Sequence, residues 1–83
     1  MAKTELTFHN QIKIRVQAQI FLGRTLISTC IASPDEVCTL LAESSRYDIF
    51  FKNGATGREI ARKLNNEANS LTLRLQNGRY ILT

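Results

Sequence analysis

Hydrophobic and polar residues alternate most regularly near the start of the chain. Ile12, Ile14, Val16, Ala18, Ile20 and Leu22 fall on one face, and Lys13, Arg15, Gln17 and Gln19 on the other. A period of two sustained over this length predicts a long strand with one wet face, as in antiparallel sheets. Residues 1–9 precede it as a loosely ordered lead-in. Gly23-Arg24 allows a tight reversal, and residues 25–32, rich in Ile, Thr and Cys, form the returning strand. The pattern then changes. Ser33-Pro34-Asp35-Glu36 has the form of a capping box with proline at the first helical position, and Val37, Leu40, Leu41 and Ser44 follow at helical spacing. A helix is therefore expected from Ser33 to about Arg46. Residues 47–52 (YDIFFK) form a short strand that Asn53-Gly54 stops.

Thr56-Gly57-Arg58-Glu59 is a second capping box. Ile60, Ala61 and Leu64 supply an apolar stripe on a helix of about 10 residues, with Arg58, Arg62, Lys63 and Asn65 on its other sides. Residues 71–75 alternate again, and Asn77-Gly78 marks a type I′ turn into residues 79–82. This register sets Leu75 opposite Tyr80 and Leu73 opposite Leu82 on the inner face. The expected order is ββαβαββ: one α+β domain over residues 1–83, a two-layer sandwich with both helices on one face of a mostly antiparallel sheet.

Composition adjusts this picture little. The 83 residues are 43% hydrophobic and 22% charged, which suits one thin globular core. No apolar run approaches the ~20 residues of a membrane span, and the N-terminus lacks the pattern of a signal peptide. No membrane contact and a cytoplasmic address are the resulting expectations. Cys30 and Cys38 form no C-x-x-C motif and are expected as reduced, buried thiols; a disulfide or a metal site is the alternative. A zinc site needs about four ligands, and no set with suitable spacing occurs. The net charge of +4 is unevenly spread. Lysines and arginines balance aspartates and glutamates through residue 45, and the whole excess lies beyond it, which points to an acidic partner for that half.

Catalytic chemistry finds no footing. His9 is the sole histidine and lies in the lead-in. Asp35, Glu36 and Glu59 are accounted for by helix starts, and Glu43 and Asp48 stand alone. No phosphate loop, dinucleotide fingerprint or nucleophile elbow is present. The chain is expected to be a non-enzymatic binding protein without a cofactor or metal.

The most suggestive segment is K-N-G-A-T-G-R-E-I-A-R-K-L, residues 52–64. Gly54 and Gly57 make a G-x-x-G turn at a helix start, where free amides attract anions, and Lys52, Arg58 and Arg62 add charge suited to phosphates. This resembles the G-x-x-G loop of KH nucleic-acid-binding domains, with Ile60 at the apolar position that follows. The resemblance implies a loop that clamps a nucleic-acid backbone. The same residues also serve as a strand end (Asn53-Gly54), a cap (Thr56) and a first-turn glycine (Gly57). Residues 47–83 are in addition similar to the first half of the phosphocarrier HPr family, whose G-x-H-x-R-P loop corresponds to N-G-x-T-x-R here. Thr56 replaces the phospho-accepting histidine and Glu59 the proline, so the resemblance implies at most a permuted HPr-like fold and a protein-docking loop, without phosphocarrier activity. REIARKLN is the kind of segment that opens a helix-turn-helix, but residues 69–76 alternate like a strand where the recognition helix belongs.

Two readings of function follow. In the first, Lys52, Gly54, Gly57, Arg58, Arg62, Lys63, Arg74 and Arg79 contact an acidic macromolecule, with nucleic acid favoured over an acidic protein. In the second, the chain is a protein-interaction or regulatory, inhibitory module, a monomer or a homodimer through the N-terminal hairpin. Phe21 falls among the polar positions of the first strand, so it is either covered by a helix end or open as a contact.

Overall fold

The computed structural model describes residues 4–83, and among them the fold is entirely β. Eight strands follow one another: β1 (Thr4–Asn10), β2 (Val16–Leu22), β3 (Thr25–Ala32), β4 (Val37–Ala42), β5 (Tyr47–Asn53), β6 (Glu59–Asn66), β7 (Ser70–Gln76) and β8 (Arg79–Leu82). They build two four-stranded sheets, sheet I in the order β4-β1-β7-β8 and sheet II in the order β3-β2-β5-β6. All neighbours are antiparallel except β1 and β7. The expected ββαβαββ sandwich of one sheet and two helices is replaced by a sandwich of two sheets.

Both expected helices are strands, for a shared reason. Ser33-Pro34-Asp35-Glu36 makes one of the two bonds of a capping box, the Ser33 amide donating to the Glu36 carboxylate at 3.1 Å, but the Glu36 amide donates to the Ser33 backbone carbonyl at 2.9 Å, the bond of a turn. Asp35, however, sits at φ 65°, the left-handed region, so the segment closes as a turn and cannot propagate as a helix. Beyond it Cys38, Leu40 and Ala42 point inward while Val37, Thr39 and Leu41 face out, a period of two. In the second case Asn53 takes over. Its Oδ1 accepts from the Ala55 and Thr56 amides, the Gly57 amide donates to its carbonyl, and Gly57 adopts φ 76°. The chain therefore reverses into β6, whose backbone pairs with β5 despite the helix-favouring composition of EIARKL. Propensity is a weak prior that a neighbouring strand edge overrides.

The N-terminal segment is a further correction. Residues 4–9 of the expected lead-in belong to β1, which sits inside sheet I between β4 and β7; residues 1–3 lie outside the described residues. Leu6 and Phe8 are fully buried, and the Phe8 ring meets Phe51 of the opposite sheet at 4.7 Å between centroids. Around this contact pack Val16, Ala18 and Ile20 of β2, Leu40 of β4, Ile49 of β5, and Leu71 and Leu73 of β7. The long first strand is shorter than expected: Ile12 and Ile14 lie in the β1–β2 loop, and Ile12 still packs into the core. The hairpin at Gly23-Arg24 forms, and Leu75 pairs with Tyr80 and Leu73 with Leu82 as the Asn77-Gly78 turn predicts.

Cys30 and Cys38 are not reduced thiols but a disulfide, with Cα atoms 6.1 Å apart. The sequence pattern hides this, because it places Cys38 on an expected helix. As strands, β3 and β4 are the edges of the two sheets on one side of the sandwich, each with its cysteine facing inward, and the bond staples sheet to sheet. The opposite edges, β6 and β8, are not joined.

Candidate nucleic-acid interface

Register places side chains on the open face of sheet II in rows. Val16, Ala18, Ile20, Ile49 and Phe51 are buried, so the alternate positions point away from the core. One row runs Ile31, Gln17, Lys52, Glu59; the next runs Thr29, Gln19, Phe50, Arg62; the third includes Leu26, Phe21 and Asp48. The Phe21 ring packs edge-on against Phe50 with centroids 5.5 Å apart, and the Arg62 guanidinium lies over the Phe50 ring at 5.3 Å. Arg62 is held there by Glu59, with its Nη2 2.7 Å from the carboxylate. With no helix above it, Phe21 is half-buried only by its neighbours on the sheet. Phe21, Gly23, Arg24, Phe50, Lys52 and Glu59 line a groove of ≈ 330 Å³. Gln19 adds a polar feature: its buried Oε1 has no hydrogen-bond donor among the described residues.

The residues expected to form one basic site are divided. Lys52 and Arg62 share the open face of sheet II, and Lys63 lies on the edge strand β6. Arg58 is exposed in the β5–β6 turn at the end of the same face. Arg74 and Arg79 pair with Ile81 and Gln76 on the outer side of sheet I, across the sandwich. Gly54 and Gly57 are brought to the turn, but its amides are already used. The Gly54 amide donates to the Arg15 carbonyl, those of Ala55 and Thr56 to Asn53 Oδ1, that of Gly57 to the Asn53 carbonyl and that of Arg58 to Thr56 Oγ1. No helix follows to add its dipole. The KH-like clamp and the HPr-like fold both require helices, and the all-β chain has neither. Gly54 serves packing instead: a Cβ there would lie 3.1 Å from the Arg15 carbonyl oxygen.

Sequence reasoning missed Phe50 and Arg24, whereas Gln19 lies on the polar face that the alternation of the first strand predicts. Phe50 was legible, since Asp48, Phe50 and Lys52 alternate with the buried Tyr47, Ile49 and Phe51. The place of Arg24 beside the face depends on which strands adjoin, which no local signal states.

Strand direction also sorts charge along the molecule. The β1–β2, β3–β4, β5–β6 and β7–β8 connections lie at one end, and β2–β3, β4–β5 and β6–β7 at the other. The first end gathers Lys13, Arg15, Lys52, Arg58, Arg74 and Arg79 against Asp35, Glu36 and Glu59. The second gathers Glu5, Glu43, Asp48 and Glu67 against Arg24 and Arg46, with Arg46 paired to Glu67 at 3.3 Å. Among the described residues no cluster of three or more His, Cys, Asp or Glu is placed to hold a metal.

No family model, no curated protein and no solved structure matches this chain.

Proposed function

We propose that the protein is a non-enzymatic binding module that holds single-stranded nucleic acid on the open face of sheet II. The observation that carries this reading is the shared placement of Phe21 and Phe50 with Lys52 and Arg62 on one exposed sheet face. Single strands are bound by aromatic rings on which bases stack, set beside cations that track the phosphates. Phe21 offers the stacking surface, because Phe50 is already covered on one side by Arg62. Lys52, Arg58 and Arg24 supply the phosphate contacts along the groove. Arg74 and Arg79 add long-range attraction without touching the bound strand.

The test is a titration with single-stranded RNA, single-stranded DNA and duplex DNA at two salt concentrations. Three phosphate contacts give a log–log salt slope near −2 for a single strand, so affinity should fall about fifteenfold between 50 and 200 mM salt. Phe21→Ala should weaken single-strand binding about tenfold, the size of one lost stack. Absence of binding at low salt, or a preference for duplex that Phe21→Ala leaves unchanged, would sink the proposal.

A second reading has its own observation. Leu26 and Ile31 of β3 and Val37 and Leu41 of β4 are exposed on the two strands that the disulfide joins. Exposed apolar side chains concentrated on one flank suit docking to another protein. A dimer through the N-terminal hairpin would use β3, because β2 is enclosed between β3 and β5. Sedimentation of the free protein decides this, and Ile31→Lys with Leu41→Lys should abolish any association found.

A further inference from the structure

A second concave site lies at the basic end, and it shares no residue with the groove on sheet II. β1 ends at Asn10, opposite Leu73, while β7 runs on and turns back as β8. The tip of the β7–β8 hairpin therefore has the β1–β2 loop beside it in place of a strand. Leu75 and Tyr80 face each other across this tip and continue the inward-facing series of Leu71 and Leu73, yet they remain 55% and 41% exposed. From the loop side come Ile12, only 4% exposed, and the half-buried Ile14. Gln11, Ile12, Lys13, Ile14, Leu75 and Tyr80 enclose a cleft of ≈ 300 Å³. Its loop wall is held in place by Asn10, whose Oδ1 accepts from the Ile12 amide at 3.0 Å and whose Nδ2 donates to the Ile14 carbonyl at 2.8 Å.

We propose that this cleft binds a small single-chain amphipathic carboxylate. Its apolar side chains suit an aliphatic chain, and its volume is at the lower end of ligand pockets, which favours a small molecule over a flat protein surface. The one charged lining residue is Lys13, which belongs to neither of the ion pairs formed among the described residues. A carboxylate on the Lys13 ammonium, with Gln11 and the Tyr80 hydroxyl as hydrogen-bond partners, completes the rim. Ligand polarity is thus fixed: chain against Leu75 and Ile14, acid group toward Lys13.

Calorimetric titration with dodecanoate below its micelle concentration tests this, with dodecanol and dodecyltrimethylammonium as comparison ligands. One-to-one binding of dodecanoate, tighter than either comparison, is expected. Leu75→Arg should abolish it, and Lys13→Gln should weaken it about tenfold and erase the preference over dodecanol. Both positions are exposed, so each variant should keep the wild-type melting temperature. Phe21→Ala should bind dodecanoate as the wild type does, which separates this site from the nucleic-acid face. No saturable binding, more than one molecule per chain, equal affinity for the cationic surfactant, or unchanged binding in Leu75→Arg would each overturn the proposal.

Discussion

Asn10 has no solvent exposure and uses its side-chain amide fully. It donates to the carbonyls of Ile14 and Ala32 at 2.8 and 2.9 Å and accepts from the Ile12 amide. It thereby ties the β1–β2 loop to β3, in the other sheet. Asn10→Ala removes all three of these bonds, at a cost of about 3 kcal/mol. Urea unfolding should show this as a lower midpoint with an unchanged slope, and the melting temperature should drop by roughly 15 °C. Asn66 plays a matching part at the opposite end. Its Nδ2 donates to the Tyr47 hydroxyl and to the Ala68 carbonyl, and the Tyr47 hydroxyl donates to that same carbonyl. Burial raises the Tyr47 pKa above its ordinary 10.0, opposed in part by the bond from Asn66. Because the folded state resists ionising this phenol, its contribution is complete below pH 10 and is lost as pH rises through the higher folded value. Tyr47→Phe should be less stable than wild type at pH 7, and the difference should shrink above pH 10 in unfolding curves taken across that range.

At the scale of elements, the disulfide and the two turns mistaken for helix starts explain most of the architecture. The Cys30–Cys38 bond closes a short loop through the Ser33–Glu36 turn and joins the edge strands of both sheets. Chain-entropy arguments assign such a loop about 2.5 kcal/mol. Cys30→Ser with Cys38→Ser should lose about that much in urea unfolding yet still fold, because β4 also pairs with β1 and keeps Leu40 and Ala42 buried. Treating the wild type with reductant should reproduce the loss. The disulfide-bonded form is accordingly the one favoured in an oxidising compartment. Strands β2, β3, β5, β7 and β8 were legible in the sequence because each carries its own alternation or turn. β4 and β6 were not. Their opening residues satisfy the local rules for a helix start; the apolar side chains of residues 37–42 are compatible with either period, and those of residues 59–64 fall at helical spacing. β1 was overlooked because only Leu6, Phe8 and Asn10 of its seven residues are buried, too few to stand out without the neighbours that cover them.

For the whole molecule, the basic residues of the C-terminal half divide between two faces and one end. Charge counted along the chain therefore misplaced them. Lys13 and Arg15, which look neutralised in the sequence, stand at the basic end, while Arg46, counted with the basic half, stands at the acidic one. If single-stranded nucleic acid binds sheet II, Lys52→Glu should reduce affinity tenfold or more and flatten the salt slope. Arg74→Glu, on the outer side of sheet I, should cost only a few-fold and leave the contacts unchanged. Equal losses in filter-binding titrations of the two variants would place the ligand elsewhere.

The sequence by itself determined five strands, the reversal at Gly23-Arg24 and the register of the final hairpin, since each depends on residues within a few positions of one another. The tertiary structure alone decided that two apparent helices are strands, that β1 lies inside a sheet, that Cys30 meets Cys38, and that Phe21, Phe50 and Arg62 share a face. The physical reason is common to all four. A strand is completed by hydrogen bonds to a partner distant in the chain, so a segment whose local preferences are divided takes the conformation that its neighbour in the sheet can pair with.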